Sequence, residues 1–216
     1  MNFEIEMRYI FMILMNNIID ESNANIHKKC LECRLPLSFK DKRLAKELID
    51  YVRNSITPEI RDRYNLREAV GLAAPQINVL KQMFAVYFYD IDETFYNFVA
   101  VNPEIIEKSD ELIFLPEGEG CLSVNRETDN LLTPRHKEIT ARFLKIVEGE
   151  KPIWVTQTFK DYPAIVFQHE YDHLQGTLFA DKMFKELPNA KPVFDLDKIR
   201  AEYQAKVDSA KINEVK

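Results

Sequence analysis

Two of the four histidines of this chain lie four residues apart in the segment QHEYDHLQG (168–176), with a glutamate directly after the first. Because residues i and i+4 share one face of a helix, His169 and His173 can offer ring nitrogens to a single ion. Glu170 is rotated by about 100° around the helix, so it can reach the side of that ion without binding it. This spacing is typical of sites in which a glutamate transfers the protons of a metal-activated water.

The alternative interpretation is a chance pair of histidines on an exposed helix. The residues before them, Ala-Ile-Val-Phe (164–167), are all apolar. A helix with such a sequence is expected to pack inside the protein, which places the histidines in a half-buried position. That position favours the metal site over the chance pair.

A catalytic metal usually has three protein ligands and one open position, so a third ligand is needed. Cys121, in EGCLS (119–123), lies between a glycine-rich turn and a strand-like run, where it could present a thiolate inward. A small buried core residue is the alternative, because that is the commonest fate of a free cysteine. His27 and His136 are other candidate ligands. Three downstream glutamates lie on no obvious ligand-bearing segment: Glu186, Glu202 and Glu214.

Hydrophobic periodicity and turn residues indicate the elements that must position these side chains. The segment DKRLAKELIDYVRNSI (41–56) predicts a helix from about residue 40 to residue 55 with Ser38 as its N-cap, and 58–65 predicts a second helical segment. Strand-like runs separated by turns are expected at 82–90, 97–101, 104–107, 111–115, 138–147 and 153–159.

The last clear helix is expected to carry the two histidines. Asp161 is its candidate N-cap, Pro163 suits its first turn, and Gly176 is its candidate C-terminal stop. Short strands joined by short turns favour antiparallel pairing, and the helices lie outside that run of strands. We therefore predict an α+β fold in which mostly antiparallel short sheets pack around a central helix that carries the histidines.

The length and composition predict one domain. The 216 residues, 46% of them hydrophobic, suffice for one good core and are few for two full domains. We expect a single domain over 1–216, with an N-terminal extension at 1–20 and an amphipathic C-terminal helix at 195–216. The apolar run MRYIFMILM (7–15) is too short to span a bilayer and is expected to form a buried helix.

Charge and cysteine content narrow the class of protein further. The net charge of −6 argues against a dedicated nucleic-acid-binding protein. Three cysteines, an odd number, indicate a reducing cytoplasm rather than a disulfide framework. The segment CLEC (30–33) has the spacing of a redox pair or half a zinc site. No second such pair and no thioredoxin-like setting accompany it, so we interpret Cys30 and Cys33 as structural.

Three segments together resemble the motifs of the peptide deformylases, in the same order along the chain. They are GLAAPQ (71–76), EGCLS (119–123) and QHEYDH (168–173). The resemblance extends from about residue 34 to residue 182 and is to the longer, type 2 bacterial form. It implies a metal-dependent amide hydrolase that removes the formyl group from the N-terminal formylmethionine of newly made polypeptides.

The resemblance also implies a role for each matching residue. Cys121, His169 and His173 would bind one divalent metal ion, which in this family is typically Fe²⁺, with Zn²⁺, Ni²⁺ or Co²⁺ as substitutes. Ligand type alone does not select the native metal, since raw affinity favours zinc over iron.

The remaining implied roles concern the reacting groups. Glu170 would be the general base and then the general acid, while Gln76 and the backbone N–H of Leu122 would hold the oxyanion. Gly71 would contact the substrate through its backbone. One position departs from the family pattern: the first motif usually begins Gly-x-Gly, and here it begins with Ala69. Its methyl group is expected either to restrict the backbone conformation or to shift the pocket wall, and, since Gln76 is intact, not to abolish activity.

A pocket for the methionine side chain is expected beside the metal. Ile165 lies one turn before the first histidine and Val166 one turn before the glutamate, so both can form walls together with Val70. Plain core packing is the alternative for each. Asp172 needs a partner if it is buried, and Arg135 is the candidate; a solvated aspartate is the competing interpretation.

The expected partners follow from the implied reaction. They are formyl-Met nascent polypeptides and, transiently, the ribosome, with no specific nucleic-acid sequence and no membrane; we expect a cytoplasmic monomer. Two other functions use the same histidines. One is a metalloprotease, which seldom has a cysteine as its third ligand. The other is a structural zinc protein, closed by Cys121 and a fourth ligand such as His136.

Overall fold

The computed structural model of the chain describes residues 12–129, 131–196 and 201. Three α-helices are described: α1 (Phe39–Ser55), α2 (Pro58–Tyr64) and α3 (Asp161–Leu174). Short 3₁₀ turns cover Met15–Asn17, Ala74–Ile77 and Phe179–Lys182. The strands are β1 (Gly71–Ala73), β2 (Met83–Tyr89), β3 (Phe95–Lys108), β4 (Leu112–Phe114), β5 (Arg135–His136), β6 (Glu138–Ile146), β7 (Ile153–Lys160) and β8 (Ala190–Pro192).

The strands form two sheets. The larger has five strands in the order β1-β2-β3-β6-β7, and every neighbouring pair in it is antiparallel. The smaller has the order β5-β4-β8, in which β4 and β8 are parallel. The predicted α+β class with mostly antiparallel pairing is therefore confirmed.

Helix α1 begins and packs as its sequence predicts. The Ser38 side chain accepts a hydrogen bond of 3.2 Å from the Asp41 N–H, which satisfies one of the free N–H groups of the first turn. Leu44, Leu48 and Val52 are buried on one face, and this face packs against β1 and β2. Burial of this apolar stripe fixes the helix beside the strand that carries the GLAAPQ segment.

Strand β3 differs from the prediction, which placed two short strands on either side of Pro103. The chain continues as one strand, and its pairing with β6 shifts register between Val101 and Glu104. Pro103 has no N–H to donate, and Asn102 adopts a left-handed conformation with φ 49°, so the irregularity absorbs both residues. The Asn102 amide also exchanges hydrogen bonds of 2.7 and 2.9 Å with the backbone of Cys33, which fastens the bulge.

The two cysteines of the CLEC segment are consistent with a structural role. Both Cys30 and Cys33 are free thiols and are buried. Burial raises the pKa of Cys30 to about 12 and that of Cys33 to about 11. Thiols held in the protonated form are poor nucleophiles and poor metal ligands.

The helices predicted at the two ends of the chain can be compared with the structure only in part. Residues 12–14 are not helical, although Ile13 is buried in the core beside α1, so the predicted helix does not include them. The rest of the predicted helix at 7–15, and all but residues 195, 196 and 201 of the predicted C-terminal helix, lie outside the described residues. Within the described part of the chain, no helix has both the length and the apolar character needed to cross a bilayer.

Candidate active site

Helix α3 directly follows β7, and the junction is tighter than the sequence predicts. Asp161 is the first residue of α3 rather than its N-cap, which is Lys160 without a side-chain capping bond. The backbone turns at Asp161 with φ 53°, and the Asp161 N–H donates to the Lys137 carbonyl at 2.8 Å. The prediction of Asp161 as N-cap is therefore wrong, because Asp161 itself makes the turn from the extended Lys160 into the helix and its N–H is bonded to Lys137.

The C-terminal end of α3 is as predicted. Gly176 has φ 74°, the left-handed conformation that a glycine adopts readily after a helix. A Cβ at this position would lie 2.6 Å from the carbonyl carbon of His27, so the chain approaches too closely for any side chain. The stop at Gly176 fixes the last turn of α3, which contains His173.

Three side chains converge at the middle of the site. Cys121, His169 and His173 each offer one ligand atom, and these atoms all lie within 4.8 Å of one another. The Cys121 sulfur is 3.4 Å from Nε2 of His173. No other group of three metal-ligating side chains is found among residues 12–129 and 131–196. One thiolate and two imidazoles are a ligand set that suits a divalent transition metal and leaves an open coordination position.

The charges of this cluster are consistent with a cation site. Burial opposes ionisation of the Cys121 thiol, but the nearby His173 and His169 side chains lower its pKa well below the usual value. Burial likewise opposes protonation of His169, yet Cys121 and Glu119 raise its pKa well above the usual value. A buried thiolate is stabilised by positive charge, which a metal ion would supply in place of the imidazole protons.

The other candidate ligands lie elsewhere. The His27 ring is exposed, and its Nε2 lies 2.9 Å from the carbonyl oxygen of Glu21. The His136 ring has its Nδ1 2.7 Å from the Ser109 carbonyl oxygen. Neither belongs to the cluster of ligand atoms around Cys121. Glu186 is exposed, whereas Glu202 and Glu214 lie outside the described residues.

Glu119 supports the cluster, and the sequence analysis did not single it out. Its Oε2 lies 2.7 Å from Nδ1 of His169, and both of its oxygens accept hydrogen bonds from Arg135 at 2.7 and 2.8 Å. Arg135 also donates to Asp172 at 2.5 Å, which confirms the predicted contact between those two residues. Burial would raise the pKa of the Glu119 carboxyl, but Arg135 and His169 lower it to about 2. Glu119 is therefore an anion that orients the ring of His169.

Replacing Glu119 with glutamine is expected to weaken metal binding by roughly 10- to 100-fold, the usual cost of losing a supporting partner of a metal ligand. The amide keeps the shape of the side chain but removes the charge that faces His169 and Arg135. Competition against a chelator of known affinity measures the change. Glu127→Gln, which alters an exposed glutamate of the same loop, is the matched control and should bind metal as the parent does.

Glu170 lies beside the cluster without belonging to it. The side chain is buried, and its Oε2 has no hydrogen-bond partner among the described residues. Burial raises the pKa of this carboxyl to about 7, although the charges of His169 and His173 act in the opposite direction. A carboxyl with this pKa can both accept and return a proton near neutral pH.

Gly71 faces this carboxyl directly. A Cβ added at Gly71 would lie 2.7 Å from Cδ of Glu170, and closer still to Oε1. Only glycine leaves room for the glutamate in its present position.

Two hydrogen-bond donors lie on the other side of the cluster. The side-chain oxygen Oε1 of Gln76 accepts a hydrogen bond from the Ala73 N–H at 2.9 Å. This bond directs the side-chain nitrogen Nε2 toward the Cys121 sulfur and the Ser123 hydroxyl, both 3.4 Å away. Gln76 is only 2% exposed. The Leu122 N–H donates to no acceptor in the described part of the chain. These are donors of the kind that can stabilise a developing oxyanion.

A cavity of about 310 Å³ opens beside these groups. Val70, Ile165 and Val166 line it, as the sequence predicts, together with Gly71, Gln76, Cys121, Leu122, His169 and Glu170. The wall residues that were not predicted include Leu115 and Tyr162. The cavity thus joins an apolar surface to a compact set of polar and ionisable groups, which is the usual composition of a small-ligand site.

Ala69 also lines the cavity, and its side chain packs against the core beside α1. The φ angle of Ala69 is not positive, so its backbone lies outside the left-handed region that favours glycine. The Ala69 N–H donates to the buried Ser55 hydroxyl at 3.1 Å. The backbone at this position accommodates alanine without strain.

The sequence of this chain is similar to those of known peptide deformylases. The family model described as Polypeptide deformylase matches residues 15–188. The chain is 44% identical over 184 residues to a peptide deformylase of Ligilactobacillus salivarius, covering 84% of this chain and 96% of that protein. It is also 44% identical over 181 residues to a protein named Peptide deformylase 2 from Bacillus cereus, covering 84% of this chain and 96% of the relative.

Solved structures are similar as well. A ligand-bound crystal structure of the class I type b peptide deformylase from Acinetobacter baumannii has a TM-score of 0.61 at 26% identity, covering 79% of this chain and 99% of that one. The crystal structure of peptide deformylase from Thermotoga maritima has a TM-score of 0.56 at 27% identity, covering 77% and 96%. The matched residues 15–188 contain every residue of the cluster and cavity described above, and they end before β8.

Proposed function

Given that the chain belongs to the polypeptide deformylase family, we propose that the convergent residues Cys121, His169 and His173 hold the metal ion of this enzyme. The chain is a metal-dependent amide hydrolase that removes the formyl group from the N-terminal methionine of nascent polypeptides. The observation that carries the assignment of ligands is the convergence of the three ligand atoms within 4.8 Å. The native ion is proposed to be Fe²⁺, with Zn²⁺, Ni²⁺ or Co²⁺ as substitutes, because this ligand set accepts all four.

The mechanism that we propose assigns the proton transfers to Glu170. A bound metal supplies Lewis acidity, which lowers the pKa of a water and polarises the formyl oxygen. Glu170 accepts a proton from the attacking water and then returns it to the departing amine nitrogen. Its pKa of about 7 and its position beside the cluster support both steps.

The oxyanion and the substrate are proposed to be held by other residues of the cavity. The Gln76 amide and the Leu122 N–H donate hydrogen bonds to the oxygen that becomes negative when the formyl carbon is attacked. The backbone of Gly71, on the edge strand β1, binds the peptide. Val70, Ile165 and Val166 enclose the methionine side chain, and burial of that side chain gives preference for an apolar first residue.

Replacing Gln76 with leucine is expected to lower kcat by about 10²- to 10³-fold, the usual effect of removing one oxyanion donor. The KM for formyl-Met-Ala-Ser should change little, because the interaction forms only as the oxyanion develops. Ser123→Ala is the matched control, since it removes the other acceptor of the Gln76 amide and leaves the donor in place. Equal losses of kcat in the two variants would contradict the assigned role.

The remaining proposals concern the whole molecule. We propose that residues 1–216 form one domain in which α3 is the central helix, because α3 contacts β1, β2, β5, β6 and β7. We also propose a cytoplasmic monomer that contacts the ribosome transiently, since its substrate is a newly made chain.

The two other functions considered for this motif have less support. A closed structural zinc site needs a fourth ligand, and His136 is bonded elsewhere.

The decisive experiment is an assay of formyl-Met-Ala-Ser hydrolysis with protein loaded anaerobically with Fe²⁺, because a thiolate-bound ferrous ion is prone to oxidation. We expect release of formate that is abolished by a chelator and restored by Fe²⁺. The same protein should be assayed after loading with Zn²⁺, Ni²⁺ and Co²⁺. Formate release that persists in metal-free protein would overturn the proposed mechanism.

A further inference from the structure

The last described segment of the chain extends beyond residue 188, where the family match ends. Strand β8 pairs with β4 in parallel, with Ala190 opposite Leu112 and Pro192 opposite Phe114. The Val193 N–H then donates to the Phe114 carbonyl at 2.9 Å. These backbone bonds fix the segment next to Leu115, the residue that follows β4 and lines the active-site cavity.

Phe194 follows this strand and contacts a wall of the cavity from behind. Its ring lies 5.6 Å from the ring of Tyr162, at an interplanar angle of 44°. Phe88 contacts Tyr162 from a second direction, with centroids 5.4 Å apart and a nearly perpendicular arrangement. Tyr162 is three residues before Ile165 on α3, so the two share one helix face, and both line the cavity that is proposed to take methionine.

A second cavity, of about 340 Å³, lies on the far side of this wall. Leu115 and Tyr162 line both cavities, whereas Phe194 lines only the second. Tyr162 therefore borders both spaces, and Phe194 packs against it from the second. A side chain that borders open space on one side keeps its position only if another group packs against it there.

We propose that Phe194 is a positioning residue that holds Tyr162 against the methionine pocket and thereby limits the length of side chain that the pocket accepts. This inference rests on the proposed function of the cavity. Without the Phe194 ring, Tyr162 can move into the second cavity, and the first cavity lengthens in that direction. The expected result is weaker binding of methionine and better acceptance of a larger apolar side chain.

The experiment compares formyl-Met-Ala-Ser with formyl-Phe-Ala-Ser for the Fe²⁺-loaded parent and Phe194→Ala. We expect the ratio of kcat/KM for the two substrates to fall by roughly tenfold in the variant, the lower end of what an apolar pocket discriminates for one methylene. The change should arise in KM, with kcat for the methionine substrate unaltered. A purely structural role would instead lower the activity on both substrates by the same factor.

Further variants make the test specific. Phe184→Ala removes a half-exposed phenylalanine from the same part of the chain and should leave the ratio unchanged. Phe194→Tyr keeps the ring and should preserve selectivity, while Phe194→Leu keeps an apolar side chain and should give part of the loss. In a Tyr162→Ala background, Phe194→Ala should have no additional effect, because the two residues act through one contact.

The outcomes separate this inference from the function on which it depends. A parent protein that releases no formate from either substrate contradicts the proposed function. An active parent whose substrate ratio is unchanged in Phe194→Ala and in Phe194→Leu overturns the positioning role alone. Additive effects of the Tyr162 and Phe194 substitutions would also overturn it.

Discussion

Replacing Glu170 with alanine is expected to lower kcat for formyl-Met-Ala-Ser by about 10²- to 10⁴-fold, the range found for loss of a general acid–base group. The metal content should remain that of the parent, because Glu170 is not one of the three clustered ligands. The physical reason is that the two other carboxyls lining the cavity are engaged elsewhere: Glu119 is held by Arg135 and His169, and Glu68 pairs with Arg61. Steady-state kinetics and metal analysis of the same sample measure both quantities.

Two results would contradict this role of Glu170. One is an activity in Glu170→Ala close to that of the parent at equal metal content. The other is an activity loss that is fully explained by loss of metal. Glu170→Gln, which keeps the size of the side chain, should be as inactive as Glu170→Ala, because the amide cannot accept the proton of water at neutral pH.

The same carboxyl predicts a pH effect on the stability of the metal-free protein. The folded-state pKa of Glu170 is raised from 4.5 to about 7, mainly by burial. Between these pH values the folded protein keeps a proton that the unfolded chain has released, so this group makes the parent less stable as pH rises. The stability of Glu170→Gln relative to the parent should therefore increase from about pH 4.5 to about pH 7 and be constant above it. Denaturant unfolding of both proteins with chelator present measures the difference.

Replacing Cys121 with serine is expected to abolish stable metal binding and, with it, hydrolysis. The substitution removes the only thiolate among the three clustered ligands. We expect the loss of metal affinity to exceed the roughly 10- to 100-fold that follows loss of an outer partner such as Glu119. Chelator competition measures the affinity. In protein loaded with Co²⁺, the absorption from sulfur bound to cobalt should be present in the parent and missing from Cys121→Ser.

A matched control is available in Cys33→Ser, which changes a buried thiol whose pKa is raised and which lies outside the cluster. This variant should keep the metal, the cobalt spectrum and the activity. Unchanged metal affinity in Cys121→Ser would show that the sulfur is not a ligand, and the proposed centre would then need a different third group.

The core of the site could be predicted because its chemistry is encoded locally. His169, Glu170 and His173 lie within one helical turn and a half, so their relative positions follow from the geometry of a helix alone. Cys121 was harder to assign, since it lies 48 residues before His169. Its local context made it one candidate ligand with core packing as the alternative, and only the resemblance to a family favoured the ligand role. The structure brings the side chains of Cys121, His169 and His173 together, as the proposed metal centre requires.

Glu119 could not be assigned from the sequence in the same way. It is one of 35 acidic residues, and nothing in its neighbourhood distinguishes a buried anion from a solvated one. Its contacts with Arg135 and His169 join residues 16 and 50 positions apart, which only the folded chain brings together. The single available signal was its place in the EGCLS segment, two residues before the cysteine.

The elements of the fold also differ in whether neighbouring residues or distant partners determine them. Helix α1 was predicted with its N-cap because both depend on neighbouring residues, whereas β8 was missed because its three residues are stabilised by pairing with β4, far away in sequence. Pro103 was read as a strand boundary, although the register shift of β3 accommodates it. Such irregularities depend on the partner strand, which a local pattern does not contain.

The close approach of Gly71 to Glu170 restricts how this enzyme can diversify. We assign position 71 to the recognition of the peptide backbone and position 170 to proton transfer, yet a Cβ at position 71 would lie 2.7 Å from Cδ of Glu170. Any methyl group introduced to alter recognition would displace the carboxylate as well. Mutations that retune substrate choice must therefore accumulate elsewhere around the cavity, at residues whose side chains can change size without touching the proton carrier.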